Sequence, residues 1–217
     1  MRALVFDVDG TMYDQNRLRM MLAPQLAGYA LRRPLAAWRA VRTLMAWRES
    51  LEELRWARRP VSVPRAQMEA AMRATGYAEA QVAAVVERWF EAAPLPLLRR
   101  CLRPGLTTLL DAAAAGGTPC AVFSDYDAGR KLEAMGIANR FAAVLCAADP
   151  QVQAYKPDPK GLRLLLERLG VRARDAAYLG DRPEIDGAAA RAAGVRFVRI
   201  GPQGFTPQII SGLTEVS

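Results

Sequence analysis

The sequence predicts an α/β fold: a parallel sheet between two layers of helices, with an all-helical segment inserted after the first strand. Three observations predict it. From Pro104 onward, short apolar runs alternate with helical stretches, and strands alternating with helices imply a parallel sheet covered on both faces. One further apolar run, Ala3 to Val8, stands alone at the start. Between the two lies a long segment whose apolar residues recur at three- and four-residue steps, as in Leu44, Trp47, Leu51 and Leu54.

Taken in order, Ala3 to Val8 reads as a buried strand closed by the Asp9-Gly10 turn. Arg17 to about Ala93 reads as roughly four helices, punctuated by Pro34, Arg59-Pro60 and Pro64. Pro94, Pro96 and Pro104 mark the exit from this segment. Gly105 to Ala115 is a helix stopped by Gly116-Gly117. Cys120 to Ser124 is a strand, Ala128 to Met135 a helix stopped by Gly136, and Phe141 to Cys146 a strand. Pro159 to Leu169 is a helix stopped by Gly170. Ala176 to Leu179 is a strand, Ile185 to Ala193 a helix stopped by Gly194, and Arg196 to Ile200 a strand. The tail after Gly201 is expected to be irregular.

Composition narrows the chemistry. With 52% hydrophobic and 24% charged residues the chain is globular, not disordered. No apolar run reaches the roughly 18 residues of a membrane span, because arginine interrupts each long one. Asp7 follows Met1 too soon for a signal peptide, so the expected location is the cytoplasm. The absence of histidine excludes Ser-His-Asp and Cys-His mechanisms and His-ligated zinc. Cys101, Cys120 and Cys146 are widely spaced and odd in number, which fits buried reduced thiols. Lys131, Lys156 and Lys160 are the only lysines among 30 basic residues, so a retained lysine carries more information than usual.

The charge is unevenly spread. Residues 15 to 103 hold 16 arginines, no lysine and seven glutamates, a surplus of nine positive charges, while the rest of the chain is close to neutral. Most of these arginines, including Arg32-Arg33, Arg39, Arg42, Arg48, Arg55, Arg58-Arg59 and Arg65, are expected on a solvated helix face, some paired with Glu49, Glu52 and Glu53. Recognition of a polyanionic substrate is the sharper alternative. A membrane-surface or nucleic-acid role is not expected, because Trp38, Trp47 and Trp56 at helical spacing read as core.

Several polar residues directly follow strands: Asp7, Asp9, Gly10 and Thr11 after the first, Ser124 and Asp125 after the second, and Asp181 after Leu179-Gly180. Lys156 lies in the Pro-flanked loop Tyr155-Lys156-Pro157-Asp158-Pro159. In a parallel sheet strand ends lie along one edge, and ligands bind there. Close carboxylates want a cation, and oxygen-only donors suit a hard ion, with magnesium the natural choice. Lys156 and Ser124 would then hold phosphate oxygens by charge and by hydrogen bond. Asp125 and Asp127 are expected to belong to the turn and helix cap.

Phe6-Asp7-Val8-Asp9-Gly10-Thr11 resembles the first motif of the haloacid dehalogenase (HAD) superfamily. Its fixed letters would arise by chance in roughly one in a thousand chains of this length. Val122-Phe123-Ser124-Asp125 is similar to the second motif, Lys156-Pro157-Asp158-Pro159 to the third, and Gly180-Asp181-Arg182-Pro183-Glu184-Ile185-Asp186 to the fourth, all in family order. The insertion sits where that family places its helical C1 cap. The resemblance implies a Rossmann-like three-layer core domain, residues 1–14 and 104–217, and a helical cap domain, residues 15–103.

It also implies roles. Asp7 is the nucleophile that forms an aspartyl-phosphate, and Asp9 the general acid and then base. Magnesium is held by the Asp7 carboxylate, the Asp9 main-chain carbonyl and Asp181, with Asp186 supporting it directly or through water. Ser124 and Lys156 bind the transferring phosphoryl group. An acid at Asp9 suits an alkoxide leaving group, since halide needs no proton. The expected activity is therefore Mg²⁺-dependent hydrolysis of a small phosphorylated metabolite. The rivals are a phosphotransferase or mutase using the same residues, and a catalytically idle fold that binds through the basic cap. Oligomeric state is not legible.

Overall fold

In the computed structural model, which describes residues 1–56 and 62–214, five parallel strands form one sheet. They are β1 (Ala3–Phe6), β2 (Cys120–Ser124), β3 (Ala143–Cys146), β4 (Ala176–Gly180) and β5 (Arg196–Arg199), in the spatial order β3-β2-β1-β4-β5. β1 ends at Phe6, two residues before its apolar run does, because Val8 already closes the following turn by accepting from the Thr11 and Met12 amides. Strand side chains alternate between faces. Leu4, Phe6, Val122 and Leu179 thus join one buried cluster, and Ala3, Val5, Phe123 and Tyr178 the other. Both faces are covered, which makes the three-layer core.

Between β1 and β2 the chain is helical among the described residues. α1 (Gln15–Arg32) is capped by Asp14, whose carboxylate accepts from the Asn16 and Arg17 amides. α2 (Pro34–Trp56) follows one residue later, so Pro34 divides the two as its missing N–H dictates. α3 (Val63–Thr75) ends at Gly76 in the left-handed region, and α4 (Glu79–Val85) runs on into a π-helical turn over Val86–Ala92. α5 (Leu95–Leu98) leads back to the core. The chain leaves and re-enters the core at one place: Tyr13 and Leu102 form an antiparallel bridge, flanked by Asp14 N–H to Cys101 O at 2.8 Å and Arg103 N–H to Met12 O at 2.8 Å.

The core helices are α6 (Leu106–Ala115), α7 (Gly129–Met135), α8 (Lys160–Leu169), α9 (Ala188–Ala193) and α10 (Pro207–Thr214). Leucines of α6 and α7 cover one face, and Leu162, Leu165 and Leu166 of α8 with Ala189 and Ala190 of α9 cover the other. At Gly161 the helix backbone lies directly on the Phe123 ring, leaving no room for a Cβ.

Three expectations are corrected. The tail after Gly201 is not irregular: α10 forms there because Leu213 is buried, with Ile209 and Ile210 packed against the same cluster. Of the three tryptophans read as core, only Trp47 is buried; Trp38 and Trp56 are 58% and 71% exposed. Leu35, Trp38, Val41 and Met45 share one outward face of α2, so the periodic pattern there marks two apolar stripes rather than one. Cys101 and Cys120 are buried free thiols, but Cys146, at the end of the edge strand β3, is only half-buried. Arg58-Arg59 and Pro60 lie outside the described residues. No described helix is long and apolar enough to cross a membrane.

Candidate active site

Strand register assembles the site. Phe6 is level with Leu179 on β4 and with Val122 on β2. The residue after Phe6 therefore emerges beside Gly180, and the next beside Asp181 on one side and Ser124 on the other. The strand order reverses between β1 and β4, which opens a crevice at their carboxyl ends. Asp7 and Asp181 flank that crevice. Asp186 reaches it from the π-helical turn Pro183–Gly187, where its carboxylate accepts from the Arg182 N–H at 3.0 Å.

Carboxylate oxygens of Asp7, Asp181 and Asp186 all lie within 4.8 Å of one another. Two glycines permit this approach. A Cβ on Gly10, which has φ +96°, would collide with the Asp181 carboxylate, and one on Gly180 would collide with Asp186. Thr11 donates its hydroxyl to Asp7 Oδ2 at 2.9 Å and lies 3.5 Å from Asp181 Oδ1. Lys156, 2% exposed, bonds Asp7 Oδ1 at 2.5 Å and Asp186 Oδ1 at 2.7 Å, and meets the Tyr178 hydroxyl at 3.2 Å.

The electrostatics follow from burial. Burial raises the Asp7 carboxyl above its ordinary value against the opposing charge of Lys156, and Asp186 and Asp9 add to the rise. Burial and the neighbouring Asp186 push Asp181 up to about 6. Burial would lower Lys156, but Asp186 and Asp7 hold it firmly protonated. One ammonium thus serves a cluster of three carboxylates, which leaves the cluster short of positive charge. The donors are all hard oxygens, a set that fits magnesium.

Asp9 is held separately. Both of its carboxylate oxygens accept from Lys131 Nζ, at 2.8 and 2.9 Å, and Tyr13 donates its hydroxyl to one of them. Burial alone would raise the Asp9 carboxyl, but Lys131, helped by Tyr13, holds it below the usual range. Lys131 is itself buried, with its ammonium 5.6 Å from the ring centres of Phe90 and Tyr126. Neither partner of Asp9 was picked out by sequence. The scarcity of lysine is the one signal that pointed at Lys131.

Ser124 is fully buried at the end of β2 and stands behind the cavity wall, which Asp125 and Tyr126 form instead. Its Oγ accepts from the Tyr126 amide at 3.3 Å, and among the described residues its own proton has no acceptor. Asp127 caps the turn into α7 as expected, accepting from Gly129 N–H at 3.0 Å. Asp125 does more than the turn role expected of it. It accepts from the Lys156 amide at 3.0 Å and pairs with Arg55 at 2.8 Å. Arg55, with only 3% of its side chain exposed, also donates to the Lys156 carbonyl at 2.6 Å and to Glu52 at 3.0 Å, and Glu52 in turn pairs with Arg182 at 2.8 Å. The last turns of α2 therefore grip the loops that carry Ser124, Lys156 and Asp181. Together these elements enclose a cavity of about 610 Å³, lined by Asp7, Asp9, Asp181 and Asp186 from the core and by α1, α2 and the π-helical turn from the insertion.

The haloacid dehalogenase-like hydrolase family profile matches residues 1–194. The chain belongs to this family. A phosphoglycolate phosphatase of Rhodospirillum rubrum is 41% identical over 109 residues, 49% of this chain and 44% of that protein. A phosphoglycolate phosphatase of Shigella dysenteriae is 29% identical over 201 residues, 89% of this chain and 78% of its own length. The stronger of these two identities thus spans under half of the relative. Among solved structures, a 2-haloacid dehalogenase of Pseudomonas syringae superposes with a TM-score of 0.61 at 23% identity, covering 94% of this chain and 88% of that one, a likeness of fold. The insertion of α1 to α5 between β1 and β2 is part of what the family profile spans.

Proposed function

We propose that the protein is a Mg²⁺-dependent phosphomonoesterase acting through an aspartyl-phosphate on Asp7. The observation that carries this reading is the group of buried Asp7 and Asp186 with half-buried Asp181, and Lys156 bonded to the first two. The names of its relatives support it, and so does the carboxylic acid at Asp9. An alkoxide leaving group must be protonated, and Asp9 lies in the same cavity as Asp7.

In this reading an Asp7 carboxylate oxygen attacks phosphorus and the ester P–O bond breaks; Asp9, which Lys131 and Tyr13 keep ionised in the free site, takes up the proton of the monoanionic ester and hands it to the leaving oxygen. Asp9 then takes a proton from water, which attacks the same phosphorus, breaks its bond to Asp7 and restores the carboxylate. Magnesium, held by the Asp7 and Asp181 carboxylates and the Asp9 carbonyl with Asp186 in support, would offset the charge of nucleophile and phosphoryl group. Lys156 adds a fixed positive charge at Asp7, and in this reading the phosphoryl group is bound by Lys156 and Ser124, the Ser124 hydroxyl having to turn out from behind the Asp125–Tyr126 wall to donate to it. Lys131 and Tyr13 fix the rotamer of Asp9. The reading includes cytoplasmic residence and a two-part chain, a core of residues 1–14 and 104–217 and a cap of 15–103. The Tyr13–Leu102 bridge, which brings the chain together beside both expected junctions, supports that division.

The test is phosphate release from a panel of small phosphate esters with and without Mg²⁺. Turnover that needs Mg²⁺ and vanishes in Asp7→Asn is expected. Release that survives Asp7→Asn would remove the nucleophile assignment.

A further inference from the structure

The first two helices of the insertion leave apolar side chains in water. Met20, Ala23, Pro24, Ala27 and Leu31 are all exposed, and steps of three or four residues put them on one face of α1. Leu35, Trp38, Val41 and Met45 form the outward stripe of α2. One stripe ends and the other begins at the corner between the helices, where Leu31 and Leu35 are 87% and 75% exposed. Single exposed leucines are ordinary, whereas a run of them along one surface marks a place that something covers.

The charge beside this surface has one sign. From Gln15 to Arg48 the chain carries seven arginines and no acidic residue. Arg32, Arg33 and Arg39 are exposed, and among the described residues their side chains make no ion pair. Arg42 stands over the Trp38 ring, 5.5 Å from its centre, and donates to the Ala74 carbonyl at 3.3 Å, which holds the indole at the surface. The corner is also remote from the catalytic cavity. α1 starts beside the Tyr13–Leu102 bridge and runs 18 residues, about 27 Å, before α2 turns back toward Lys156.

Charge and shape together select the occupant. A second copy of this chain would set arginine against arginine, with no acid on this face to receive either. A nucleic acid would satisfy the arginines and leave the leucines and methionines unmatched. An anionic bilayer meets both needs: lipid phosphates face the guanidinium groups, while leucine and tryptophan side chains enter the boundary between headgroups and acyl chains.

We propose that the corner between α1 and α2 docks this protein on an anionic lipid bilayer, with Leu31, Leu35 and Trp38 in the interface and Arg32, Arg33 and Arg39 on the headgroups. The sequence speaks against a membrane role only while its tryptophans read as core, and Trp38 stands in solvent. Docking is independent of the phosphomonoesterase reading, since none of these six residues lines the catalytic cavity.

The test is co-sedimentation of the full chain with vesicles of phosphatidylcholine alone, and of phosphatidylcholine and phosphatidylglycerol at about two to one. Partition onto the anionic vesicles is expected to exceed that onto the neutral ones about tenfold or more, and to fall steeply with added salt. Arg32→Gln/Arg33→Gln should weaken it about tenfold, and Leu31→Ser/Leu35→Ser by a similar factor. Both should keep the wild-type melting temperature, because the side chains they change are exposed. Arg168→Gln/Arg174→Gln removes the same charge from exposed positions of the core and should leave partition within about twofold. Brominated lipid should quench part of the tryptophan emission, and Trp38→Phe should abolish that quenching while keeping the affinity. No partition, equal partition onto both vesicles, an equal loss in the core variant, or emission indifferent to brominated lipid would overturn the docking. So would a dimer or a duplex-DNA complex that Leu31→Ser/Leu35→Ser abolishes while the wild type ignores vesicles.

Discussion

Lys131 Nζ bridges both carboxylate oxygens of Asp9, at 2.8 and 2.9 Å, from a helix that follows a different strand. Removing one member of such a pair leaves the other charge poorly solvated. Lys131→Met is expected to cost about 2 kcal/mol in urea unfolding, short of a fully buried pair because Asp9 keeps some solvent. The Asp9→Asn/Lys131→Met double variant should lose less than the sum of the single losses, by about 1 kcal/mol. Strict additivity would show that the contact contributes nothing.

Asp9→Asn should be nearly inactive on alkyl phosphates and much less impaired on aryl phosphates. An aryloxide departs with little protonation, so losing the acid matters less there. The wild-type to mutant ratio of kcat/KM for each ester measures this. Equal losses would assign Asp9 to structure rather than to proton transfer.

Chelation should abolish turnover of a generic aryl phosphate, and Mg²⁺ should restore it. The same ion should raise the melting temperature, since a ligand at a hundred times its Kd stabilises by about 2.7 kcal/mol. Asp181→Asn should remove that thermal shift. A melting temperature indifferent to Mg²⁺ would remove the metal from the acidic cluster.

Arg55→Ala should lower kcat/KM about tenfold or more on every ester, because one guanidinium holds Asp125, Glu52 and the carbonyl of Lys156 together. Arg55→Lys should not rescue it, since a single ammonium cannot span three acceptors in a plane. Aryl-phosphate turnover within twofold of wild type would show that the grip of α2 on the Lys156 loop is dispensable.

Cys120 is buried, and burial pushes its thiol up to about 11. A raised value keeps the thiol protonated at all pH values well below that, and the thiolate is the reactive form. A disulfide reagent at pH 8 should therefore label Cys120 only as fast as the protein unfolds. Rapid labelling of Cys120 in the folded state would contradict its placement in the core.

Asp7, Asp9 and Asp181 were legible in the sequence because each follows a strand, and strand ends in a parallel sheet share an edge. Lys156 was legible as a retained lysine in a proline-rich loop, and its resemblance to a known motif set it apart from an ordinary surface residue. Tyr13 was not, Lys131 was marked only by the scarcity of lysine, and Arg55 was expected on a solvated helix face, where its pairing with Glu52 fits but its burial does not. They come from helices and from the turn into the insertion, where periodicity says which face is apolar but not which polar side chain points at a distant loop. Asp125 was misjudged for the same reason: its turn position was visible, its partner on α2 was not. α10 was missed because Pro202, Gly201 and Gly204 break the chain just before it, and its buried face rests on one residue, Leu213, with two isoleucines beside it. Trp38 and Trp56 show the converse limit. A helix with apolar residues on two sides gives the same spacing as one with a single wide stripe.

The central position of β1 has a consequence for how the chain is born. β1 is synthesised first, but its neighbours are β2, beginning at Cys120, and β4, beginning at Ala176. At ribosomal speeds of about 5–20 residues per second, it waits on the order of ten seconds for its first partner. Meanwhile the helices of the insertion emerge, and their local contacts form within microseconds. Ala-Leu-Val-Phe must spend that interval as an unpaired, sticky segment. Its brevity and the charges beside it, Arg2 before and Asp7 after, are the kind of flanks that keep such segments from associating with other chains. Asp7 thus guards the nascent strand's solubility before there is any site for it to serve.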